Sequence, residues 1–164
     1  MLFLRSSRRR VGVSALTLVL LLSSLATVAS AAHPEAARGT GGAVSSAAPA
    51  ATAVGLEILR AGGNAADAAV ATALALAVVH PQAGNLGGGG FAVVRFGDEV
   101  ATLDFRETAP AAATPGMFLD RKGEPRPEAS LVGPLAAGVP GSPAGLAELH
   151  AKRGRLPWAA VVAP

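Results

Sequence analysis

The spacing of the apolar residues changes across a glycine-rich stretch at residues 84–90. Before this stretch, apolar residues recur at helical spacing and predict two helices, from Pro49 to Arg60 and from Ala65 to about Val79. After it, the period shortens and predicts a β-hairpin with strands at residues 91–96 and 100–105, joined by a turn at Gly97-Asp98. The sequence therefore predicts a mixed α+β fold.

Local signals set the limits of the two predicted helices. Gly62-Gly63 ends the first helix. Asn64 is a suitable N-cap for the second, with Asp67 in the first turn, where the helix dipole favours a negative charge. His80-Pro81 ends it, since the residue before a proline is pushed out of the α region. Three shorter elements are also predicted: a strand at residues 43–46, a helix at residues 144–151 and an apolar anchor at residues 156–158.

Residues 1–31 have the pattern of a secretory signal peptide. Arg5 to Arg10 form a charged region, Val11 to Val28 are mainly apolar, and Ala29-Ser30-Ala31 supplies small residues for cleavage after Ala31. We therefore expect an exported protein, periplasmic or extracellular. A retained membrane anchor is the alternative, because the apolar stretch approaches the length of a short transmembrane span.

Charge and composition exclude several classes of function. From Ala32 onward the chain has 10 basic residues against 11 acidic ones, a net charge of −1, and no clustered basic face for nucleic acid. It has no cysteine, so disulfides and thiolate chemistry are excluded. Its three histidines lie far apart in the sequence, and we expect no metal site. No cofactor is expected either.

The glycine-rich stretch contains a possible nucleotide-binding spacing. Gly87, Gly89 and Ala92 fit a G-x-G-x-x-A pattern. A dinucleotide fingerprint, however, follows a strand and begins a helix, whereas this stretch follows a predicted helix and begins a strand. We therefore favour a structural role, in which the glycines allow a tight turn or a close approach of two backbone segments.

Arg106 is the candidate binding residue, at the centre of the segment Asp104-Phe105-Arg106-Glu107-Thr108-Ala109-Pro110. A guanidinium group can bind a carboxylate through two parallel hydrogen bonds, which a lysine cannot do. The alternative is a solvated ion pair with Glu107 or Asp104, in an acidic cluster that also includes Asp98 and Glu99. Exposed ion pairs are common, so the pattern alone favours that alternative.

Five blocks of sequence, taken together, resemble the γ-glutamyltranspeptidases (glutathione hydrolases). They match in order and spacing from about Gly42 to Pro164, which makes the resemblance much more specific than any single motif. The blocks are residues 55–71, 84–91, 104–110, 138–142 and 154–158.

The resemblance implies an N-terminal-nucleophile hydrolase, an αββα sandwich of which residues 32–164 are an incomplete N-terminal portion. In this family, a proenzyme cuts itself into two subunits, and the new N-terminal threonine of the small subunit attacks the γ-glutamyl amide. The implied donor is a γ-glutamyl compound such as glutathione, and the acceptor is water, an amino acid or a peptide. The position of Arg106 implies that it binds the α-carboxylate of the donor.

The resemblance also implies that the catalytic residues lie outside these 164 residues. The partner would be the chain's own small subunit, encoded downstream. We therefore expect this chain alone to be inactive and poorly stable. Five threonines lie within the large-subunit signature, so none of these matches the family nucleophile: Thr52, Thr72, Thr102, Thr108 and Thr114.

Two alternatives stay open. The chain could belong to a cephalosporin-type acylase on the same scaffold, which would not require a clamp for an α-carboxylate. It could also be a truncated, non-catalytic remnant that binds γ-glutamyl groups. The presence of Arg106 favours the transpeptidase over the acylase.

Overall fold

The computed structural model describes residues 36–164, so the predicted signal peptide lies outside the described residues. Residues 40–164 pack together as one unit. Within residues 36–164, four helices and two strands agree with the predicted mixed α+β class. No helix in the described part of the chain is long and apolar enough to cross a membrane. In chain order the elements are α1 (Pro49–Arg60), α2 (Ala65–Val79), β1 (Phe91–Phe96), β2 (Glu99–Asp104), α3 (Ser142–Arg153) and α4 (Trp158–Val162), with short 3₁₀ turns at Pro127–Ser130 and Pro134–Ala136.

Helices α1 and α2 have the predicted bounds, for the predicted reasons. Pro49 begins α1, where its missing N–H costs no helical hydrogen bond. Gly62 ends this helix in a left-handed conformation, with φ of +91°. Asn64 caps α2 by accepting from the backbone N–H groups of Ala66 and Asp67, while the Asp67 carboxylate accepts from the N–H of Asn64. The predicted cap is confirmed as a reciprocal capping box.

The helices α1 and α2 pack closely through small residues. A side chain at Gly55 of α1 would overlap the hydroxyl of Thr72 on α2, so the two backbones approach at this point. The core extends from Ile58 of α1 and Val70 of α2 to α3 and α4, which contribute Leu146, Leu149 and Val161. The buried residues of α2 lie in its first half, from Ala66 to Thr72, whereas Val78 near its end is 78% exposed.

The β-hairpin has the predicted turn and a slightly shifted second strand. Phe96 pairs with Glu99 across the two-residue turn, and Gly97 adopts the positive φ of +62° that such turns require. β2 therefore runs from residue 99 to residue 104, one residue earlier than predicted. Alternate residues Ala92, Val94 and Phe96 of β1 pack against the helical core.

Three shorter predictions need correction. Residues 43–46 form no strand, because no segment within 36–164 pairs with them, although Val44 packs against the core. The helix predicted at residues 144–151 is longer at both ends, since Pro143 is tolerated in its first turn. Of the predicted apolar anchor, Leu156 packs against the core, but Trp158 begins α4 and is 40% exposed.

An ion pair connects α3 to the hairpin. The guanidinium of Arg153 bonds both carboxylate oxygens of Glu99, with Nη1 at 3.0 Å from Oε2, and lies 5.6 Å from the centre of the Phe96 ring. The hydrogen bond from Arg153, together with its charge, lowers the pKa of Glu99 below the ordinary value of 4.5.

We expect this pair to make a small, pH-dependent contribution to stability. A carboxylate whose pKa is lowered by folding stabilises the protein fully above 4.5, and this contribution is lost as the pH falls through the lowered value. Glu99→Gln should lower the Tm of the complete enzyme by about 1 °C at pH 7. The difference from the unchanged protein should disappear on acidification. Asp98→Asn is the control, because the Arg95–Asp98 pair is exposed and its charges are 3.7 Å apart. A difference that stays constant with pH would contradict the assignment.

Candidate functional site

Arg106 lies in a short backbone segment, residues 105–108, that passes between two other parts of the chain. On one side, Phe105 and Gly90 exchange backbone hydrogen bonds of 3.0 and 3.3 Å, which continue the hairpin ladder past the end of β2. Thr108 and Val139 then exchange bonds of 3.2 and 2.8 Å. The 105–108 segment is therefore fixed at both ends by antiparallel pairing.

The glycines of two separate sequence blocks meet at this segment. An added Cβ at Gly89 would lie 2.5 Å from the carbonyl oxygen of Phe105 and 2.7 Å from Cα of Arg106. One at Gly141 would overlap the same carbonyl oxygen. The N–H of Gly141 also donates to the carbonyl of Gly88 at 2.9 Å, which joins the two blocks directly. The predicted close backbone approach at the glycine-rich stretch is confirmed, and this stretch follows a helix and precedes a strand, as the sequence indicated.

The side chain of Arg106 is 59% exposed and is held by one of its three guanidinium nitrogens. Its Nε donates to Oε2 of Glu107 at 2.7 Å. Its backbone N–H donates to Oδ1 of Asp104 at 3.0 Å. Among residues 36–164, neither of the two Nη nitrogens makes a hydrogen bond. Cζ lies 5.9 Å from the centre of the Phe91 ring, at the limit of a cation–π contact. The Nη pair can therefore receive a carboxylate while Nε stays bonded to Glu107.

Glu107 is a fixed negative charge beside this guanidinium. Its own backbone N–H, and then the hydrogen bond from Arg106, hold the pKa of the carboxyl below its ordinary value of 4.5. Glu107 is thus ionised at neutral pH. The ion pair predicted as the alternative for Arg106 is present, but it occupies only the Nε side of the group.

The other acids near Arg106 in the sequence have different partners. Asp98 pairs with Arg95, and Glu99 pairs with Arg153 on α3. Asp104 bonds the backbone of Arg106 and not its guanidinium. Closeness in sequence therefore does not bring these acids together in space, because the hairpin directs them to different partners.

Gly141 and Gly145 lie against the 105–108 segment, although the sequence indicated no separate role for either. A side chain at Gly145 in α3 would overlap the ring of Phe105, whose side chain is half-buried against this helix. The two glycines are four residues apart, so they lie on one face at the start of α3. The four-residue spacing in the sequence indicates that both glycines share one face of α3. Only the fold shows that this face contacts Phe105.

Among residues 36–164, the two histidines make local contacts away from Arg106. His150 Nε2 lies 2.8 Å from the carbonyl oxygen of Leu156 and 3.6 Å from a carboxylate oxygen of the fully buried Asp67. His80 instead contacts Gln82. Within residues 36–164, no three histidine, cysteine, aspartate or glutamate side chains are grouped so that they could hold a metal ion.

Comparison with known proteins gives consistent matches. Residues 51–164 match the family model described as Gamma-glutamyltranspeptidase. The chain is similar to the glutathione hydrolase proenzyme of Escherichia coli K12, with 53% identity over 91 residues, which are 55% of this chain and 16% of that protein. The crystal structure of Helicobacter pylori γ-glutamyltranspeptidase matches with 48% identity and a TM-score of 0.75, over 79% of this chain and 37% of that one.

A cephalosporin acylase also matches, but at lower identity. The crystal structure from Bacillus halodurans has 32% identity and a TM-score of 0.61, over 81% of this chain and 25% of that one. In all three comparisons, this chain spans well under half the length of the relative that it matches.

Proposed function

The chain belongs to the γ-glutamyltranspeptidase family, and on this premise we propose that it supplies the donor-binding side of a γ-glutamyltransferase or glutathione hydrolase. The observation that carries the proposal is the state of Arg106. Its Nε is bonded to Glu107, and its two Nη nitrogens have no partner in the described part of the chain.

The chemistry of the substrate calls for such a group. A γ-glutamyl amide such as glutathione carries a free α-carboxylate at the far end of the side chain from the bond to be cleaved. Two parallel hydrogen bonds from the Nη pair of Arg106 would fix both the position and the direction of this carboxylate. The γ-carbonyl would then be placed for nucleophilic attack, which lowers the entropic part of the barrier.

We further propose that residues 32–164 are the N-terminal portion of the large subunit, in an αββα sandwich completed by a small subunit. That partner would supply an N-terminal threonine as nucleophile, with its own α-amine as base. Residues 1–31 would direct export to the periplasm or the outside of the cell. The hairpin supports this view, because Phe91 and Val93 of β1 point away from the described core and are 67% and 74% exposed.

Replacement of Arg106 tests the proposal in the complete enzyme. Arg106→Ala should lower kcat/KM for γ-glutamyl-4-nitroanilide by about 30-fold or more, the equivalent of about 2 kcal/mol, because the donor carboxylate loses a charge-assisted pair of hydrogen bonds. Arg106→Lys should recover little of this loss, since a single ammonium cannot reproduce the planar pair of donors. Steady-state kinetics of donor cleavage give both values.

A second donor and a matched variant make the test specific. 4-Aminobutyryl-4-nitroanilide is the same donor without the α-carboxylate, and its kcat/KM should not depend on Arg106. Arg95→Ala is the control variant, because Arg95 is also an exposed arginine paired with a carboxylate but lies on β1, away from the 105–108 segment. Unchanged γ-glutamyl kinetics in Arg106→Ala would refute the role proposed for Arg106.

The same pair of donors separates the transpeptidase from the acylase alternative. An acylase has no need of the α-carboxylate and should cleave both donors at comparable rates, with or without Arg106. The higher identity to the γ-glutamyltranspeptidase structure, 48% against 32% for the acylase, supports the first function.

A further inference from the structure

We propose that Gly89, Gly138 and Gly141, here called the glycine cradle, are positioning residues that set Arg106 for recognition of the donor carboxylate. This inference rests on the proposed function. The glycines come from two sequence blocks, residues 84–90 and 138–142, and neither block alone indicates that it positions Arg106.

Gly89 contacts the backbone on both sides of the Arg106 Cα atom. An added Cβ would lie 2.5 Å from the carbonyl oxygen of Phe105 and 2.7 Å from the backbone nitrogen of Glu107. Real Cβ atoms do not approach other atoms this closely. The contacted atoms belong to the backbone and cannot rotate away, so the 105–108 segment would have to shift.

Gly141 and Gly138 contact the same segment from the second block. A Cβ at Gly141 would overlap the carbonyl oxygen of Phe105 and lie 3.0 Å from that of Arg106. A Cβ at Gly138 would lie 3.1 Å from Cβ of Glu107, a tight contact that a small shift could relieve. The contacts at Gly138 are therefore milder than those at Gly89 and Gly141.

These contacts control the guanidinium because little else holds it. The side chain of Arg106 is more than half exposed, and its one side-chain hydrogen bond goes to Glu107. The backbone that carries Arg106 and the carboxylate that orients its Nε are thus both placed by contact with the cradle. Recognition through two parallel hydrogen bonds tolerates displacements of only about 0.5 Å. A displacement of about 1 Å can reduce a rate by about 100-fold.

Gly89→Ala in the complete enzyme tests the inference. The quantity to measure is the ratio of kcat/KM for γ-glutamyl-4-nitroanilide to that for 4-aminobutyryl-4-nitroanilide. We expect this ratio to fall by about 10-fold or more, mainly through a higher KM for the γ-glutamyl donor. The second donor lacks the α-carboxylate, so its kcat/KM should stay unchanged. A purely structural role would lower both values together and leave the ratio constant.

Gly87→Ala is the matched control within the same glycine-rich stretch. The nearest atom to its added Cβ is Oδ1 of Asn85, at 3.5 Å, which is an ordinary contact. The ratio should not change in this variant. If Gly89→Ala does not yield folded enzyme, Gly138→Ala gives the deciding measurement, because its smaller displacement should preserve the fold and lower the ratio by about 3-fold.

The outcomes separate the inference from the function on which it rests. An unchanged ratio in the folded Gly89→Ala enzyme overturns the positioning role. If Gly89→Ala does not fold, an unchanged ratio in Gly138→Ala overturns it instead. In either case a lower ratio in Arg106→Ala leaves the proposed function intact. A ratio that is constant in Arg106→Ala itself overturns the proposed function and the inference together.

Discussion

Asp67→Ala should destabilise the protein by about 4 kcal/mol, the largest effect expected from any single replacement considered. The Asp67 carboxylate is fully buried at the start of α2. It accepts from the backbone N–H of Asn64 at 2.9 Å, from that of Arg155 at 3.0 Å and from that of Leu156 at 3.3 Å. One side chain therefore joins the N-terminus of α2 to the segment that follows α3. Without it, three N–H groups lose their acceptor in a site largely shielded from solvent.

Urea unfolding of the complete enzyme measures this loss. Asp67→Asn keeps one oxygen acceptor but removes the charge, and should cost about half as much. Asp120→Ala is the matched control, because Asp120 also accepts from backbone N–H groups, those of Lys122 and Glu124, but is exposed to solvent. Its replacement should change the free energy of unfolding little. Equal effects in Asp67→Ala and Asp120→Ala would show that the buried position adds nothing.

The elements that the sequence predicted correctly are those specified by neighbouring residues. The bounds of α1 and α2 follow from Pro49, Gly62 and the Asn64 cap, each of which acts within one helical turn. The turn of the hairpin follows from Gly97, which adopts the required positive φ. These signals need no knowledge of the tertiary structure.

The features that the sequence did not predict depend on residues distant in the chain. Residues 43–46 have a composition that suits a strand, but a strand also requires a partner segment, and composition does not supply one. The acids near Arg106 are close together in the sequence, yet Glu99 pairs with Arg153, which is 54 positions away. Only the folded chain shows which charges meet.

The candidate site was predicted in part from the sequence. The sequence identified Arg106 by its chemistry and by resemblance to a family, and it identified the glycine-rich stretch as a place of close backbone approach. It did not show that this approach is to the 105–108 segment, or that Gly141 makes the same contact from a second block. In the fold, glycines from two separate sequence blocks contact the backbone segment that carries Arg106.

Gly145→Ala should destabilise the protein by about 3 kcal/mol. An added Cβ would lie 2.7 Å from Cδ1 of Phe105 and would overlap Cβ and Cγ of the same residue. Cβ of Phe105 is fixed by the backbone, so a change of rotamer cannot remove the overlap with this atom, and α3 must move away from the 105–108 segment. Alanine is a better helix former than glycine by about 1 kcal/mol. The steric cost should exceed this gain and reverse its sign.

Gly116→Ala is the control, because the nearest atom to its added Cβ is 4.0 Å away and its backbone does not adopt a positive φ. Removing a glycine from an open position restricts the unfolded chain, so this variant should be neutral or slightly more stable. The midpoints of urea unfolding of the two variants should therefore shift in opposite directions from that of the unchanged protein. If Gly145→Ala proved as stable as Gly116→Ala, α3 and Phe105 would have room to separate without loss. The packing of Phe105 could then not be what holds the backbone next to Arg106 in place.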